Sequence, residues 1–295
     1  MKFYITVNPH GGKKIGPKLL KKIKPILKYD NAELTIIETL YAGHAKELAN
    51  QLDFTGYDGL IAIGGDGTLH EVVNGLMSRK DNQQIPLGLI PGGSGNSFMH
   101  DLDLLDPVLA AKAILNNKTR MVDVAEVKLN HVLKYAINII GWGLVTDVAN
   151  QAEKHRWLGT SRYTILSVKE VFTYSPRAAA LIIDGKRFSD DFTFIIACNT
   201  IHTGKGMKMA PMANLDDGLM DLIVVRHEAS KLKILSLLPS LFDGSHINSP
   251  LVEYYTASEF SLIPKRDEFL NIDGEISGST PIDVRVLKQR IEVFC

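Results

Sequence analysis

Residues 61–76, IAIGGDGTLHEVVNGL, constrain the fold more than any other stretch of the chain. A short apolar run ends in glycines and passes at once into residues with helical spacing, Leu69, Val72, Val73 and Leu76 recurring on one face. Such a joint belongs to a buried strand followed by a helix packed on the sheet, and the helix N-terminus beside a glycine turn is a natural holder of an anion. Gly64, Gly65 and Gly67 let another group come close to the main chain. Asp66 is the anomaly, because a carboxylate repels phosphate unless a cation or a hydroxyl proton comes with it. Thr68 reads as the N-cap of the helix.

The same joint recurs along the first part of the chain. FYITVN leads through NPHGG into a lysine-rich helix, which the sequence predicts to break near Pro25. ELTIIET leads into AGHAKELANQL, and IPLGLIPGG into SGNSFMHDL. Strand–turn–helix units in series predict a parallel sheet flanked by helices. Ligands gather at the carboxyl ends of such strands, where NPHGG, TLYAGHA, GGDGT and PGGSGNS all fall. After about Arg120 the pattern changes to short strand-like segments: MVDVAEVKLN, HVLKYAINIIGWG, RAAALIIDGKRFSDDFTFIIACNT and GLMDLIVVRH. One helix is expected among them, over residues 161–174, and STPIDVRVLKQRIEVFC reads as one or two closing strands. The expected domains are 1–122, α/β, and 123–295, a mostly antiparallel β domain, with the last strands able to return to the first.

Charge excludes some partners. The net charge is zero, so no global field favours nucleic acid, although the segment 13–28 holds seven lysines and no acid. That segment is either a solvated helix face or a surface near phosphates or anionic lipid. Two cysteines, Cys198 and Cys295, in no metal-like spacing, suit a reducing compartment, and MKFYITVNPHGG reads as a strand and turn instead of a signal peptide. The longest apolar candidate for a membrane span, 132–149, is interrupted by Lys134, Asn138 and Asp147. The expectation is a cytoplasmic protein that meets any membrane from the water side, with a homodimer left open. P-loop, zinc-cluster and G-x-S-x-G signatures are missing.

GGDGTLHEVVNGL followed by IPLGLIPGGSGNSF resembles the signature of the diacylglycerol kinase and sphingosine kinase family of lipid kinases. NPHGGKK, TLYAGHAKELA, MVDVAEV, GKGMKMAPMANLDDGLMDLIVV and NIDGE are similar to further family motifs, in the family's order. The resemblance implies a nucleotide domain like that of phosphofructokinase and NAD kinase and a β-sandwich domain for the lipid. It implies transfer of the γ-phosphoryl group of ATP to a lipid hydroxyl at a membrane surface, with Mg²⁺. Asn8, Pro9, His10, Gly11, Gly12, Thr39, Gly64, Gly65, Asp66, Gly67, Thr68, Leu69, His70 and Ser94 fall on the family's nucleotide-contacting positions, and Asp123 on an aspartate of its charge network. The catalytic candidates are Glu275, Asp273 and Asp66. Glu275 or Asp273 would be the general base, the two sharing a face if they lie on a strand, although DGE taken by itself reads as a β-turn, and Asp66 would be a partner orienting metal or hydroxyl. A structural Mg²⁺ is implied at Asn214, Asp217 and Leu219, with Asp216 and Asp221 as alternative ligands. Ser97 and Lys205 depart from the pattern, standing where many members carry aspartate and glycine. The apolar stretch 234–242 is either core or the lining of an acyl-chain cleft. The rival readings are an NAD kinase, which shares the GGDGT loop, and a nucleotide-binding regulator without turnover.

Overall fold

KFYITV forms β1 (Lys2–Val7), with Phe3, Ile5 and Val7 fully buried, the near-continuous apolar run of a parallel strand covered on both faces. The computed structural model describes residues 1–11, 14–29, 31–130, 132–155, 162–204, 206–227 and 230–295. After β1 come α1 (Gly16–Tyr29), β2 (Glu33–Glu38), α2 (His44–Gln51), β3 (Gly59–Gly64), α3 (Asp66–Met77), β4 (Leu87–Pro91), α4 (Ser97–Asp101) and α5 (Pro107–Leu115). β1 pairs in parallel with β2 and with β3, and β3 with β4, which gives the α/β architecture the repeated joint predicts. Two local expectations give way. α1 runs unbroken through Pro25, because Pro25 and Lys21 lie on the exposed face, where water can serve the carbonyl that proline leaves without a donor. α3 begins at Asp66 with Gly65 as N-cap, so Thr68 stands within the first turn instead of capping it.

The elements that follow are β5 (Thr119–Leu129), β6 (Val132–Ala136), β7 (Ile139–Gly143), α6 (Leu144–Lys154), α7 (Arg162–Thr173), β8 (Arg177–Ile183), β9 (Lys186–Cys198), β10 (His202–Thr203) and β11 (Met207–Lys208). Then come β12 (Met220–Arg226), α8 (Lys231–Ser240), a 3-10 turn (Ser245–Asn248), β13 (Glu253–Ala257), β14 (Glu259–Pro264), β15 (Phe269–Ile272), β16 (Glu275–Ser279) and β17 (Ile282–Phe294). Pairing here is antiparallel: β9 lies between β8 and β7 and also pairs with β12, while β14 joins β8 to β17 and β15 joins β7 to β16. The DGKRF turn is a two-residue hairpin loop with positive φ at Asp184 and Gly185. Among the described residues, three α-helices interrupt these strands where one was expected. α6 escapes a reading by pattern because it follows β7 without a break and opens on buried Leu144, so strand and helix merge into one apolar run.

The chain divides into two compact units, Met1–Val124 with Gly204–Gly206 and Lys288–Cys295, and Ala125–Thr203 with Met207–Leu287. β5 and β17 each start in one unit and end in the other. In the first unit the end of β17 pairs with β4 at Val293 and Leu87, giving the parallel order β17–β4–β3–β1–β2, and Phe294 meets Phe3 edge-on at 6.2 Å. The second unit has two cores on opposite faces of its strands. Leu222, Ile195, Trp142, Phe260 and Leu262 line one; their alternating neighbours Ile223, Phe194 and Ile196 line the other, where Leu144, Val171 and Ile234 from the helices cover them. No described helix is long and apolar enough to cross a membrane.

Candidate active site

In the first unit the strand-end loops press against each other through glycine. A Cβ on Gly65 would lie 2.7 Å from the Cα of Gly93, and one on Gly93 would lie 2.6 Å from the Cα of Gly65. Only glycine in both loops permits this approach of two backbones. Gly92 N–H donates to the Gly64 carbonyl at 2.7 Å, fixing the contact. Asn96 holds the second loop: its Oδ1 accepts from Gly93 N–H at 2.9 Å, its Nδ2 donates to the Gly93 carbonyl at 3.1 Å, and its own backbone is left-handed. Ser94, between them, is exposed.

Asp66 is the first residue of α3 and ties this helix to the next loop, its Oδ1 accepting from the Ser97 N–H at 2.7 Å. The loop after β1 closes on the same turn. Asn8 Oδ1 accepts from the N–H groups of His10 and Gly11, at 3.0 and 2.8 Å, and its Nδ2 donates to the Thr68 hydroxyl at 3.0 Å. Pro9 lies within this turn, exposed His10 stands at its rim, and Gly12 lies outside the described residues, as does Lys205. Gly65 offers no side chain to cap α3, so the positive end of this helix, at Asp66, Gly67 and Thr68, is the one suited to an anion. The N-terminus of α2 is already served: Glu71 accepts from Gly43 N–H at 2.9 Å and from Ala45 N–H at 3.1 Å. Of the remaining candidates, Leu69 is core, half-buried His70 faces Asn74 one turn on, and Thr39 is buried with its hydroxyl donating to the Val7 carbonyl at 3.3 Å. Asp123 is fully buried and accepts from the Gln289 N–H at 2.6 Å.

In the second unit Asp273 and Glu275 do not share a strand face. Asp273 and Gly274 are the two residues of the β15–β16 hairpin turn, both at positive φ, and Glu275 is the first residue of β16. Asp273 is 4% exposed; its Oδ2 accepts from Ile137 N–H at 3.1 Å and its Oδ1 from Asn138 and Ile139 N–H at 2.8 and 3.0 Å. A carboxylate surrounded by three backbone donors anchors a turn; Glu275, two positions on and just past the turn, is exposed.

The acidic turn before β12 offers oxygen ligands. Exposed Asp217 accepts from Leu219 N–H at 2.9 Å, and the positive φ of Gly218 bends the chain there. Asp221 is buried, and burial pushes its carboxyl up to about 6, with the charge of Asp217 adding to the shift and the Tyr254 hydroxyl, bonded at 2.6 Å, opposing it. Among the described residues no three His, Cys, Asp or Glu side chains converge on one point, so a cation here would draw also on Asn214 and the Leu219 carbonyl, the oxygen set of a hard cation. Sequence reasoning missed two participants, Asn96 and Glu71, and the anchoring role of Asp273. Asn96 had a signal, an asparagine just before a helix after two glycines; the Glu71 cap of α2 and the Asp273 anchor join residues far apart in the chain and had none.

Residues 2–127 match the diacylglycerol kinase catalytic domain, and residues 138–295 match the YegS C-terminal NAD kinase beta sandwich-like domain. The chain is 30% identical to sphingosine kinase 1 of Arabidopsis thaliana over 93% of its own length and 68% of the relative's. It is 31% identical to a diacylglycerol kinase of Staphylococcus saprophyticus, over 98% and 94%. A crystal structure of a candidate diacylglycerol kinase from Bacillus anthracis superposes with a TM-score of 0.82 at 25% identity, covering 99% of this chain and 94% of that one. With both halves matched in order and relatives of this similarity along almost the whole length, the chain belongs to the diacylglycerol kinase and sphingosine kinase family.

Proposed function

We propose that this protein, a kinase by its family, transfers the γ-phosphoryl group of ATP to a hydroxyl of a diacylglycerol- or sphingosine-like lipid. The observation that carries the reading is Asp66 at an uncapped helix N-terminus, between two loops packed glycine on glycine. The N–H groups of that helix end bind phosphate oxygens, and Asn8, which holds the N–H groups of His10 and Gly11 and the Thr68 hydroxyl, keeps the neighbouring turn in shape. The acceptor hydroxyl gives its proton to the Glu275 carboxylate, its oxygen attacks the γ-phosphorus, and ADP leaves as the bond to the β–γ bridging oxygen breaks. Asp273 positions Glu275 by anchoring the hairpin turn. Asp66 orients the acceptor hydroxyl or the metal. Mg²⁺, when bound, neutralises charge on phosphate oxygens at the nucleotide and, at Asn214, Asp217 and Leu219, braces the second unit. Relatives named diacylglycerol kinase and sphingosine kinase support a lipid acceptor.

Radiolabelled ATP supplied with diacylglycerol, sphingosine and NAD tests this. Label in the organic phase is expected; label in NADP, or tight ATP binding with no transfer, overturns it. Asp66→Asn keeps an acceptor for the Ser97 N–H and removes the charge, so turnover should fall by about 100-fold or more with the fold intact.

A further inference from the structure

α7 is apolar on two sides. Leu166 and Val171 are buried in the second unit, and Ile165, Val168 and Phe172, spaced to lie on one helical face, point the other way. With Leu232 at the start of α8 they are between 39% (Val168) and 71% (Leu232) exposed. The two helices meet here: Lys231 Nζ donates to the Phe172 carbonyl and lies 5.7 Å from the centre of the Tyr174 ring. Lys169, Lys231 and Lys233 are exposed around the apolar residues. α7 and α8 contain one acid, Glu170, and it is 13% exposed and paired with Lys169 at 3.8 Å.

We propose that this face of α7 and α8 docks on an anionic lipid bilayer, with Ile165, Val168, Phe172 and Leu232 entering the interface and Lys169, Lys231 and Lys233 meeting lipid phosphates. An apolar stripe flanked by lysines without exposed acid is the pattern of a segment lying in a membrane surface. A second copy of the chain fits less well. A two-fold contact through this patch brings the lysines of both protomers into one interface, with no exposed acid of α7 or α8 to offset them. The inference deepens the lipid kinase reading by naming the surface at which the acceptor is met.

The test is sedimentation of the full chain with vesicles of phosphatidylcholine, with or without phosphatidylglycerol, in the absence of ATP; the result therefore does not depend on turnover. Binding should require phosphatidylglycerol and weaken with salt. Ile165→Ser with Phe172→Ser, and separately Lys169→Glu with Lys233→Glu, should each weaken it by at least about tenfold. Both variants should keep the melting temperature and the activity on a short-chain, water-dispersed acceptor. Because the lysine pair is exposed and carries no core contact, it decides the matter even if the apolar pair misfolds. Wild-type chain that ignores anionic vesicles, or variants that bind as wild type does, would overturn the proposal. So would loss of self-association in the apolar variant, seen by analytical ultracentrifugation, with vesicle binding retained.

Discussion

Replacing Asp273 should damage the fold before it damages the chemistry. The carboxylate satisfies three backbone N–H groups from residues 137–139, and it is almost fully buried. Asp273→Ala leaves all three donors buried without a partner. At about 1–3 kcal/mol for each unmet group, the loss is at least ~3 kcal/mol. For a unit of this size ~3 kcal/mol lowers the melting temperature by about 6 °C or more. Asp273→Asn is milder. Its remaining oxygen can still accept from Asn138 and Ile139, but its amide turns a donor toward the Ile137 N–H, so one bond is lost, about 1–3 kcal/mol. Glu275→Gln changes an exposed side chain and should stay within about 0.5 kcal/mol of wild type. Urea melts of the three variants give the ranking, and lipid kinase assays at two temperatures give the chemistry. Asp273→Asn should regain activity on cooling as its turn reforms, whereas Glu275→Gln should be inactive at both. An Asp273→Asn variant as stable as wild type yet devoid of activity would refute the division of roles and make Asp273 the base.

Three further outcomes are expected. Gly65→Ala places a methyl group against the Cα of Gly93, forcing two strand-end loops apart; it should cost about 1–3 kcal/mol and weaken ATP binding measured by calorimetry, while Gly56→Ala, strained by its positive φ but with nothing within 4 Å of its Cβ, should lower stability and leave ATP binding unchanged. If Asp217 is a cation ligand, Mg²⁺ should raise the melting temperature of the wild type and not of Asp217→Ala, and calorimetry in EDTA should bring the two together. Burial pushes His246 below the ordinary histidine range, against the carbonyls of Met209 and Ser240 and the charge of Asp243, which favour its protonated form. A group depressed on folding contributes stability that is complete above its unfolded value, near 6.5, and is lost as pH falls below it. Urea midpoints should therefore decline between pH 7 and pH 5 more steeply in wild type than in His246→Gln.

The α/β half was legible because each of its steps is local. Apolar strand, glycine turn and amphipathic helix follow one another within about a dozen residues, and Leu69, Val72 and Val73 are buried as their spacing predicts. What stayed hidden was built across distance in the chain. Thr68 looks like a cap in sequence, yet its hydroxyl accepts a bond from Asn8, sixty positions earlier. Asp273 and Glu275 are separated locally, Asp273 in the Asp-Gly hairpin turn and Glu275 on the strand after it, but the partners of the Asp273 carboxylate, residues 137–139, lie far off in the chain. α6 was lost for a different reason: the one residue that divides strand from helix, Gly143 at positive φ, stands in an apolar run that reads as strand on both sides of it.

The passage of β17 from one unit to the other bears on how this protein can be dissected. A fragment ending at residue 124 looks like a natural cut, but it discards residues 288–295, which close the β4 side of the parallel sheet. Such a fragment would expose Leu87 along a raw strand border and deprive Phe3 of its aromatic neighbour, inviting aggregation. A workable fragment of the first unit needs residues 288–295 grafted back through a designed linker, so this segment belongs, by its packing, with the first strands.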